Sequence, residues 1–451
     1  MDRRYSSLLG RSARGSVGSG LDGLDGSGGG RHTARPRRGM GPWRMAVLAV
    51  AAIITGSVIY VVSSVGMAVG ESYTPIPRDV APEVRAAPVR EGERINILFM
   101  ALDDEEVRSD VMMLASVDME QKRVGVISIP RDTRALLAGK GTIERINHAY
   151  AYGLGDKEFP ANLRALKTVE DLLDVRIHYT VVLSMGAFTR AIDEIGGVVV
   201  DIPFKMEYDD PYQNLHIYFE PGRQKLNGQQ ALEFVRWRHN NDGTGYPDED
   251  LGRIRAQQQF IRTVIDQVMK PGNLATLPSL ITKLARYVES TVEPARLGSM
   301  ALLAASLDKA AIEMATLPGM PAYVLDPVEE KQVSYYIHDP TQTRQMMDRL
   351  VHGIDPAEAA KVTVEVAAAP GDERAAAVVA RLAEQGFVAS LSAPPDGKLP
   401  GKTRVVPTTR EKTRSLLVAR SLIAQGFEVE MVEEPDPNAN GVVRVILGAD
   451  R

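Results

Sequence analysis

Apolar and polar positions in the middle of the chain alternate between patterns typical of strands and patterns typical of helices. Short apolar runs bounded by polar or turn residues predict strands, whereas apolar residues spaced three and four apart predict helices. The predicted strands are 95–102, 111–117, 124–129, 179–183 and 198–202. The predicted helices are 163–173 and 188–195, then a mainly helical stretch from Asn227 to about Ala310 in which 251–269 is the longest candidate. Strands that alternate with helices predict an α/β domain, which we assign to residues 94–355.

The last part of the chain repeats one pattern twice. A strand is predicted at 362–366, and helices are predicted at 374–385 and 414–425. The residues that end the two helices correspond in type: Leu382, Gln385, Gly386 and Phe387 recur as Leu422, Gln425, Gly426 and Phe427. A glycine directly after a helix is typical of a C-cap. Two βαβ-like halves therefore predict a small α/β C-terminal domain at residues 362–451.

Residues 45–70 contain no charged side chain. A helix of this length rises about 39 Å, more than the roughly 30 Å hydrocarbon core of a bilayer. We therefore predict a single transmembrane helix. The alternatives are a cleaved signal peptide and a buried core helix.

The residues that flank this segment predict its orientation. Residues 1–44 carry nine Arg and three Asp and are rich in Gly, which predicts a disordered basic arm. Because positive charge before a span stays on the cytoplasmic side, the arm is expected in the cytoplasm and residues 71–451 outside it. Residues 71–93 hold four prolines and little apolar periodicity, so we predict a stalk.

Composition excludes several kinds of site. The chain has no cysteine, so it has no disulfide, no Cys-ligated metal site and no thiol nucleophile. The basic arm has a net charge of +6 and the whole chain has a net charge of −5. Residues 45–451 therefore carry a net charge of −11. An acidic remainder argues against nucleic acid as a partner.

Arginine and aspartate side chains cluster where predicted strands and helices end, at 102–110, 130–133, 234–238 and 250–255. Ligands gather at strand ends in open α/β sheets. Asp103 and Asp110 could together hold one hard cation such as Mg²⁺. Arginines that arrive from several segments suit phosphate oxygens, because a guanidinium is planar, bidentate and permanently charged. The clusters therefore indicate a diphosphate bound with magnesium. The alternative is solvated salt bridges, such as Arg236 and Arg238 with the acidic residues 248–250.

Short motifs follow one another in order between residues 94 and 269. They are Asn96-Ile97-Leu98 followed by Asp103, Arg108-Ser109-Asp110, Ser128 to Thr133, Ile146-Asn147, Ala149 to Gly153, Asp201-Ile202-Pro203, Pro221-Gly222, then Leu226, Gly228 and Ala231 leading to Arg236 and Arg238, and Gly252-Arg253-Ile254 with Gln257-Gln258. By these motifs the segment resembles the LytR–CpsA–Psr family of cell-wall polymer transferases. Residues 362–451 resemble the C-terminal domain often attached to that family, through Gly386-Phe387 and the closing residues 447–450.

The resemblance implies both a fold and a chemistry. The fold is a central mixed β-sheet flanked by helices, with a hydrophobic groove for a polyprenyl tail. The activity is transfer of a glycan phosphate from a polyprenyl diphosphate carrier to peptidoglycan, with Mg²⁺ or Mn²⁺ as cofactor. Carried over by position, Asp103 and Asp110 would bind the metal, and Arg131 and Asp132 would be catalytic. The residues that would face the diphosphate are Arg108, Arg131, Arg145, Asn147, Arg236, Arg238, Arg253 and Gln257.

The resemblance also implies the setting of the reaction. The expected partners are a polyprenyl diphosphate-linked glycan, peptidoglycan and membrane lipid, and the expected location is the cell membrane, with the catalytic domain outside the cytoplasm. A polyprenyl-diphosphate hydrolase and a membrane-bound envelope regulator or scaffold without catalysis are the open alternatives. Family members carry an arginine where this chain has Ala256, which leaves open whether Arg255 takes its place. Phe188 and Ile192 are candidates for the lipid groove, although core packing is the expected role of both.

Overall fold

The computed structural model describes residues 94–103, 105–212, 215–247, 249–270, 287–292, 309–325, 331–393, 400–407, 413–432 and 441–449. The predicted arm, membrane helix and stalk, residues 1–93, lie outside these ranges. Within the ranges given, no helix combines the length and the apolar character needed to cross a bilayer.

The part of the described chain that ends at residue 350 is a mixture of strands and helices. The strands are β1 (Ile95–Leu102), β2 (Ser109–Asp118), β3 (Arg123–Ile129), β4 (Arg134–Leu136), β5 (Ile143–Arg145), β6 (Tyr179–Leu183), β7 (Val198–Ile202), β8 (Met206–Asp210), β9 (Leu215–Phe219), β10 (Gly222–Leu226), β11 (Val288–Ser290), β12 (Ile312–Thr316), β13 (Gly319–Leu325) and β14 (Gln332–His338). The helices are α1 (His148–Tyr152), α2 (Ala161–Leu173), α3 (Met185–Glu194), α4 (Gly228–Arg236), α5 (Glu249–Val268) and α6 (Pro340–Leu350), with a 3₁₀ turn at Lys309–Ala311.

A six-stranded mixed sheet in the order β11-β6-β1-β2-β3-β12 organises this part. Strands β1, β2 and β3 form an antiparallel meander, to which β6 adds in parallel beside β1 and β12 adds in parallel beside β3. One face of the sheet packs against α2 and α6: Leu98 and Leu114 share a buried cluster with Leu166 and Leu350. The predicted α/β fold with a central mixed sheet is therefore confirmed.

The other face of the sheet is less completely covered. In β1, Leu98 and Met100 are buried, but Phe99 between them is 40% exposed. Successive side chains of a strand point to opposite faces, so Phe99 lies on the face away from α2. An exposed aromatic ring in the centre of an apolar strand is unusual and marks a surface that a ligand can cover.

Most predicted elements agree with the structure. Strands β1, β6 and β7 have the predicted bounds, and β2, β3, α2, α3 and α5 begin and end within three residues of them. The stretch predicted as mainly helical, from Asn227 to about Ala310, contains the two helices α4 and α5 and also the short strand β11. That strand has three residues and exists only through its antiparallel pairing with β6, which no local pattern encodes.

The rest of the described chain forms a second α/β unit. Its strands are β15 (Thr363–Ala367), β16 (Val388–Leu391), β17 (Thr403–Val406), β18 (Val429–Met431) and β19 (Val443–Ile446), in the order β16-β15-β19-β17-β18. Its helices are α7 (Pro356–Ala359), α8 (Arg374–Glu384) and α9 (Thr413–Ala424). The predicted repeat corresponds to β15-α8-β16 and β17-α9-β18, each with parallel strands. Gly386 and Gly426 follow the two helices with φ of 97° and 89°, a conformation that favours glycine.

The two parts meet through buried charged side chains. Arg420 of α9 donates to Asp118 of β2 at 2.5 Å, and the two side chains are only 5% and 3% exposed. Arg381 of α8 donates to both carboxylate oxygens of Asp348 in α6, at 2.7 and 2.9 Å. Arg94 is also buried beside Asp118, and burial lowers the pKa of Arg94 to about 10 although the carboxylate opposes that change. The junction is therefore a packed interface rather than a loose tether.

Candidate active site

A cavity of about 760 Å³ lies against the incompletely covered face of the central sheet. Its walls come from β1, β2 and β6 on the sheet side and from α3, α4 and α5 on the other. The lining includes Phe99, Asp110, Val111, Met113, Ala115, Val126, Arg131, Val181, Phe188, Tyr208, Arg236, Arg238, His239, Arg253, Gln257, Phe260, Ile261 and Met314.

The register of the strands places charged residues at one end of the sheet side of the cavity and apolar residues at the other end. Along β2 the lining runs from Asp110 past Val111 and Met113 to Ala115, a distance of about 17 Å at 3.4 Å per residue. Ala115 pairs with Val126 of β3, which in turn pairs with Met314 of β12, so this end is apolar.

Asp110 and Arg131 stand together at the charged end. Met112 of β2 pairs with Ile129 of β3, and Asp110 and Arg131 each lie two residues beyond that pair. Arg131 Nη1 donates to Asp110 Oδ1 at 2.8 Å. The neighbouring Pro130 accepts hydrogen bonds at its carbonyl from the N–H and the hydroxyl of Thr133, which forms a tight turn directly after β3. The turn keeps the backbone of Arg131 at the sheet edge.

Three more arginines reach the cavity from the helical side. Arg236 ends α4 and Arg238 follows it, while Arg253 lies in α5 and is buried. Gln257, one turn after Arg253, donates from Nε2 to the carbonyl of Val235 at 3.0 Å and so joins α5 to α4. Four guanidinium groups beside an otherwise apolar cavity suit a ligand with a diphosphate at one end and a hydrocarbon chain at the other.

The apolar part of the cavity is formed by both strand and helix residues. Phe99 and Val181 line it from the sheet, and Phe188, Phe260 and Ile261 line it from α3 and α5. The rings of Phe188 and Phe260 lie 5.9 Å apart. The two groove candidates therefore separate: Phe188 lines the cavity, whereas Ile192 is buried in the core beneath it.

Five of the predicted site residues do not line the cavity. Arg108 is exposed in the loop between β1 and β2. Asp132 pairs with Arg145 at 3.4 Å, and Arg145 also donates to the carbonyl of Ser334. Asn147 is buried, and its backbone N–H donates to the carbonyl of Arg131 at 3.2 Å. Asp132, Arg145 and Asn147 therefore surround the segment that carries Arg131.

Asp103, the fifth, directly follows β1, and Asp110 lies in β2 on the other side of the same hairpin. Its Oδ1 accepts the backbone N–H groups of Val107 at 2.8 Å and Arg108 at 3.1 Å, and its own N–H donates to the Arg108 carbonyl. The second oxygen of each carboxylate makes no hydrogen bond to any described residue. Each carboxylate thus keeps one oxygen suited to Mg²⁺, which binds one or two carboxylates and takes its other ligands from water and substrate phosphate. Within the described ranges, no group of three or more His, Asp or Glu side chains gathers as a metal site.

Arg255 and Ala256 line a different cavity. This second cavity, of about 670 Å³, includes Asp201, Arg223, Arg255 and Ala256, and Phe260 lines both cavities. Positions 253, 257 and 261 share one face of α5, whereas 252, 255, 256 and 259 share another. Arg255 consequently does not line the first cavity together with Arg253.

Two polar residues at the rim of the first cavity were not predicted from the sequence. They are Tyr208 of β8 and His239, which follows Arg238. Tyr208 lies in a short strand and His239 lies between α4 and α5, and the sequence analysis predicted no element at either position. The sequence feature that could have indicated a role for His239 was its position directly after Arg238.

Comparison with known proteins agrees with the motifs. The model of the LytR_cpsA_psr family matches residues 59–352, more than half of the chain. The chain belongs to this family. Residues 353–451 lie beyond the matched range. Val351 belongs to the hydrophobic core of the first part of the chain and Ile354 to the core of the second α/β unit, so the match ends where one core gives way to the other.

Two curated members of the LytR–CpsA–Psr family are similar to this chain. The polyisoprenyl-teichoic acid–peptidoglycan teichoic acid transferase TagV of Bacillus subtilis is 32% identical over 234 residues, which are 50% of this chain and 57% of TagV. The polyisoprenyl-teichoic acid–peptidoglycan teichoic acid transferase TagU of Bacillus cereus strain ATCC 14579 is 30% identical over 257 residues. These residues are 55% of this chain and 78% of TagU. The crystal structure of B. subtilis TagV aligns with 28% identity and a TM-score of 0.48, covering 58% of this chain and 97% of TagV as crystallised.

Proposed function

We propose that this protein is a membrane-anchored phosphotransferase that moves a glycopolymer phosphate from a polyprenyl diphosphate carrier onto peptidoglycan. The observation that carries the proposal is one cavity lined both by four arginines and by an extended apolar surface. A polyprenyl diphosphate has the same division, with a charged head and a long hydrocarbon tail. Teichoic acid transferases among the relatives support a wall glycopolymer as the group transferred.

The arrangement accounts for the chemistry by positioning and charge. In phosphoryl transfer the protein contributes mainly alignment of the reactants and stabilisation of the charge that develops on oxygen. Arg131, Arg236, Arg238 and Arg253 would hold the diphosphate oxygens, with Arg131 held in place by its hydrogen bond to Asp110. The apolar surface would exclude water around the tail. Magnesium, when bound to Asp103 and Asp110, would add further neutralisation of the diphosphate.

Reconstitution of the full chain tests this function directly. The protein in lipid nanodiscs is incubated with a radiolabelled polyprenyl diphosphate glycan, Mg²⁺ and peptidoglycan, and both covalent attachment of label and released polyprenyl phosphate are measured. Attachment in step with release is expected. Release of polyprenyl phosphate without attachment would indicate a hydrolase, and the absence of both reactions would favour a regulator or scaffold.

A matched pair of variants links the activity to the cavity. Arg253→Gln removes a buried cation from the charged end, and Arg404→Gln removes an exposed one from β17 in the second unit. We expect loss of transfer in the first variant and full transfer in the second. Equal activities would separate the reaction from this cavity.

The membrane location is also a proposal. We propose that residues 45–70 span the membrane, with residues 1–44 in the cytoplasm and the cavity outside, because an extracytoplasmic site is where carrier and peptidoglycan meet. A topology reporter fused after Arg451 should be active only outside the cytoplasm. Cytoplasmic reporter activity would contradict both the orientation and the proposed acceptor.

A further inference from the structure

His239 has a defined place at the rim of the first cavity. It follows Arg238 directly, lines the cavity and is exposed. Its ring meets the ring of Tyr208 edge to face, with centroids 5.7 Å apart. An acceptor glycan that approaches the adjacent Arg238 from solvent can therefore reach His239.

Hydrogen bonding determines which nitrogen of the His239 ring is available. Nδ1 lies 2.9 Å from the backbone carbonyl of Asn240, and a carbonyl can only accept, so Nδ1 carries a proton. Nε2 makes no hydrogen bond to any residue in the described part of the chain. In the neutral ring, Nε2 is therefore the nitrogen with a free lone pair.

The loop after His239 holds the ring in position. Asn240 Oδ1 accepts the N–H of Glu207 at 2.6 Å, and the carbonyl of Asn240 also accepts the N–H of Gly243 at 2.9 Å. Gly245 approaches so closely that an added Cβ would lie 2.8 Å from the His239 Cα. A base held by its backbone in this way keeps its orientation when the acceptor arrives.

Other titratable groups that line the cavity are less suited to accept a proton. Asp110 is bound to Arg131, and the arginines are permanently protonated. Burial and the adjacent Asp210 carboxylate raise the pKa of Tyr208 even though Arg238 and Arg236 oppose this, so the phenol stays protonated at neutral pH. Asp132, which the resemblance marked as catalytic, lies outside the lining and pairs with Arg145.

We propose that His239 is the general base that takes the proton from the acceptor hydroxyl, an inference that rests on the proposed function. The acceptor oxygen forms a bond to the phosphorus that bears the glycan as its proton moves to Nε2. The bond from that phosphorus to the bridging oxygen breaks, and its electron pair leaves with polyprenyl phosphate. The imidazolium then releases its proton to solvent, so the ring is neutral again for the next turnover.

Removal of the imidazole tests this role. In the reconstituted full chain, His239→Ala should lower the transfer rate at saturating carrier by about 10²–10⁴-fold, the usual contribution of a general base, with carrier affinity unchanged. His239→Gln should be equally slow, because an amide does not accept the proton. Added imidazole should restore part of the rate in His239→Ala and leave the wild-type rate unchanged.

A second histidine provides the matched control. His216 of β9 is exposed, contacts Asp209 and does not line the cavity, so His216→Gln should transfer at the wild-type rate. A wild-type rate in His239→Ala would overturn the proposal. So would a slow variant that has lost carrier affinity and is not rescued by imidazole, because that result describes a positioning residue. Failure of the proposed function is distinct, since the wild-type chain itself would then transfer nothing.

Discussion

The buried ion pair between Arg420 and Asp118 gives a prediction whose size follows from the structure. We expect Asp118→Ala to destabilise the chain strongly, because it leaves the guanidinium groups of Arg420 and Arg94 buried together without a carboxylate. Removal of one partner of a buried pair costs about 3–5 kcal/mol, most of it from the charge left behind. The expected loss for Asp118→Ala lies in that range.

Arg420→Ala should be less damaging than Asp118→Ala. After this change Asp118 still accepts the backbone N–H groups of Glu120 and Gln121 and still has Arg94 beside it. The remaining carboxylate therefore keeps a cation and two hydrogen bonds, whereas the two arginines left by Asp118→Ala would lose the carboxylate that they share. The order of the two losses tests the buried geometry more closely than either value alone.

The control is an exposed pair in the second unit. Arg404 donates to Glu430 at 2.8 Å, but the side chains are 47% and 50% exposed. Exposed pairs contribute about 0–1 kcal/mol, so Glu430→Ala should change stability by no more than that. Both sets of single and double variants form cycles that isolate each pairwise energy.

The assay is denaturant unfolding of the full chain in detergent micelles, followed by far-UV circular dichroism. A large coupling energy is expected for Asp118 with Arg420 and a value near zero for Glu430 with Arg404. If Asp118→Ala costs no more than Glu430→Ala, the buried interface between the two parts does not exist as described. Two separate unfolding transitions in the wild-type chain would also contradict that interface.

Three further outcomes follow from the site and the core. Arg131→Ala should lower turnover about 10²–10³-fold, more than it lowers carrier affinity, as for other lost electrostatic stabilisers. Arg131→Lys should recover part of that turnover, and transfer rates equal to wild type would remove the residue from the mechanism. Asp103→Ala and Asp110→Ala should each weaken the dependence of transfer on Mg²⁺ in a metal titration, and an unchanged titration in both would make the carboxylates structural. Gly125→Ala places a Cβ well inside van der Waals contact with the Leu350 carbonyl oxygen and should cost about 1–3 kcal/mol in the same unfolding assay, with unchanged stability refuting that close approach.

The sequence by itself determined the elements whose residues carry a strong local pattern. The apolar runs of β1 and β6 and the spacing of α2 were enough to assign them, because side-chain burial on one or both faces repeats along each element. The repeat in the second unit was visible because Gly386 and Gly426 must adopt positive φ, so both copies needed the same residue type. The order of the motifs also indicated the family, since it depends on residue types alone.

Only the tertiary structure decided which of the candidate residues share a cavity. Arg131 and Asp110 meet because β2 and β3 pair in one register, and Arg236, Arg238 and Arg253 join them because α4 and α5 pack over the same face. The exposed loop that carries His239 has no periodic pattern to indicate its position. Asp118 and Arg420 are 302 residues apart, and nothing local in either segment indicates the other. Contacts of this kind depend on how distant segments pack, and local propensity carries no information about that.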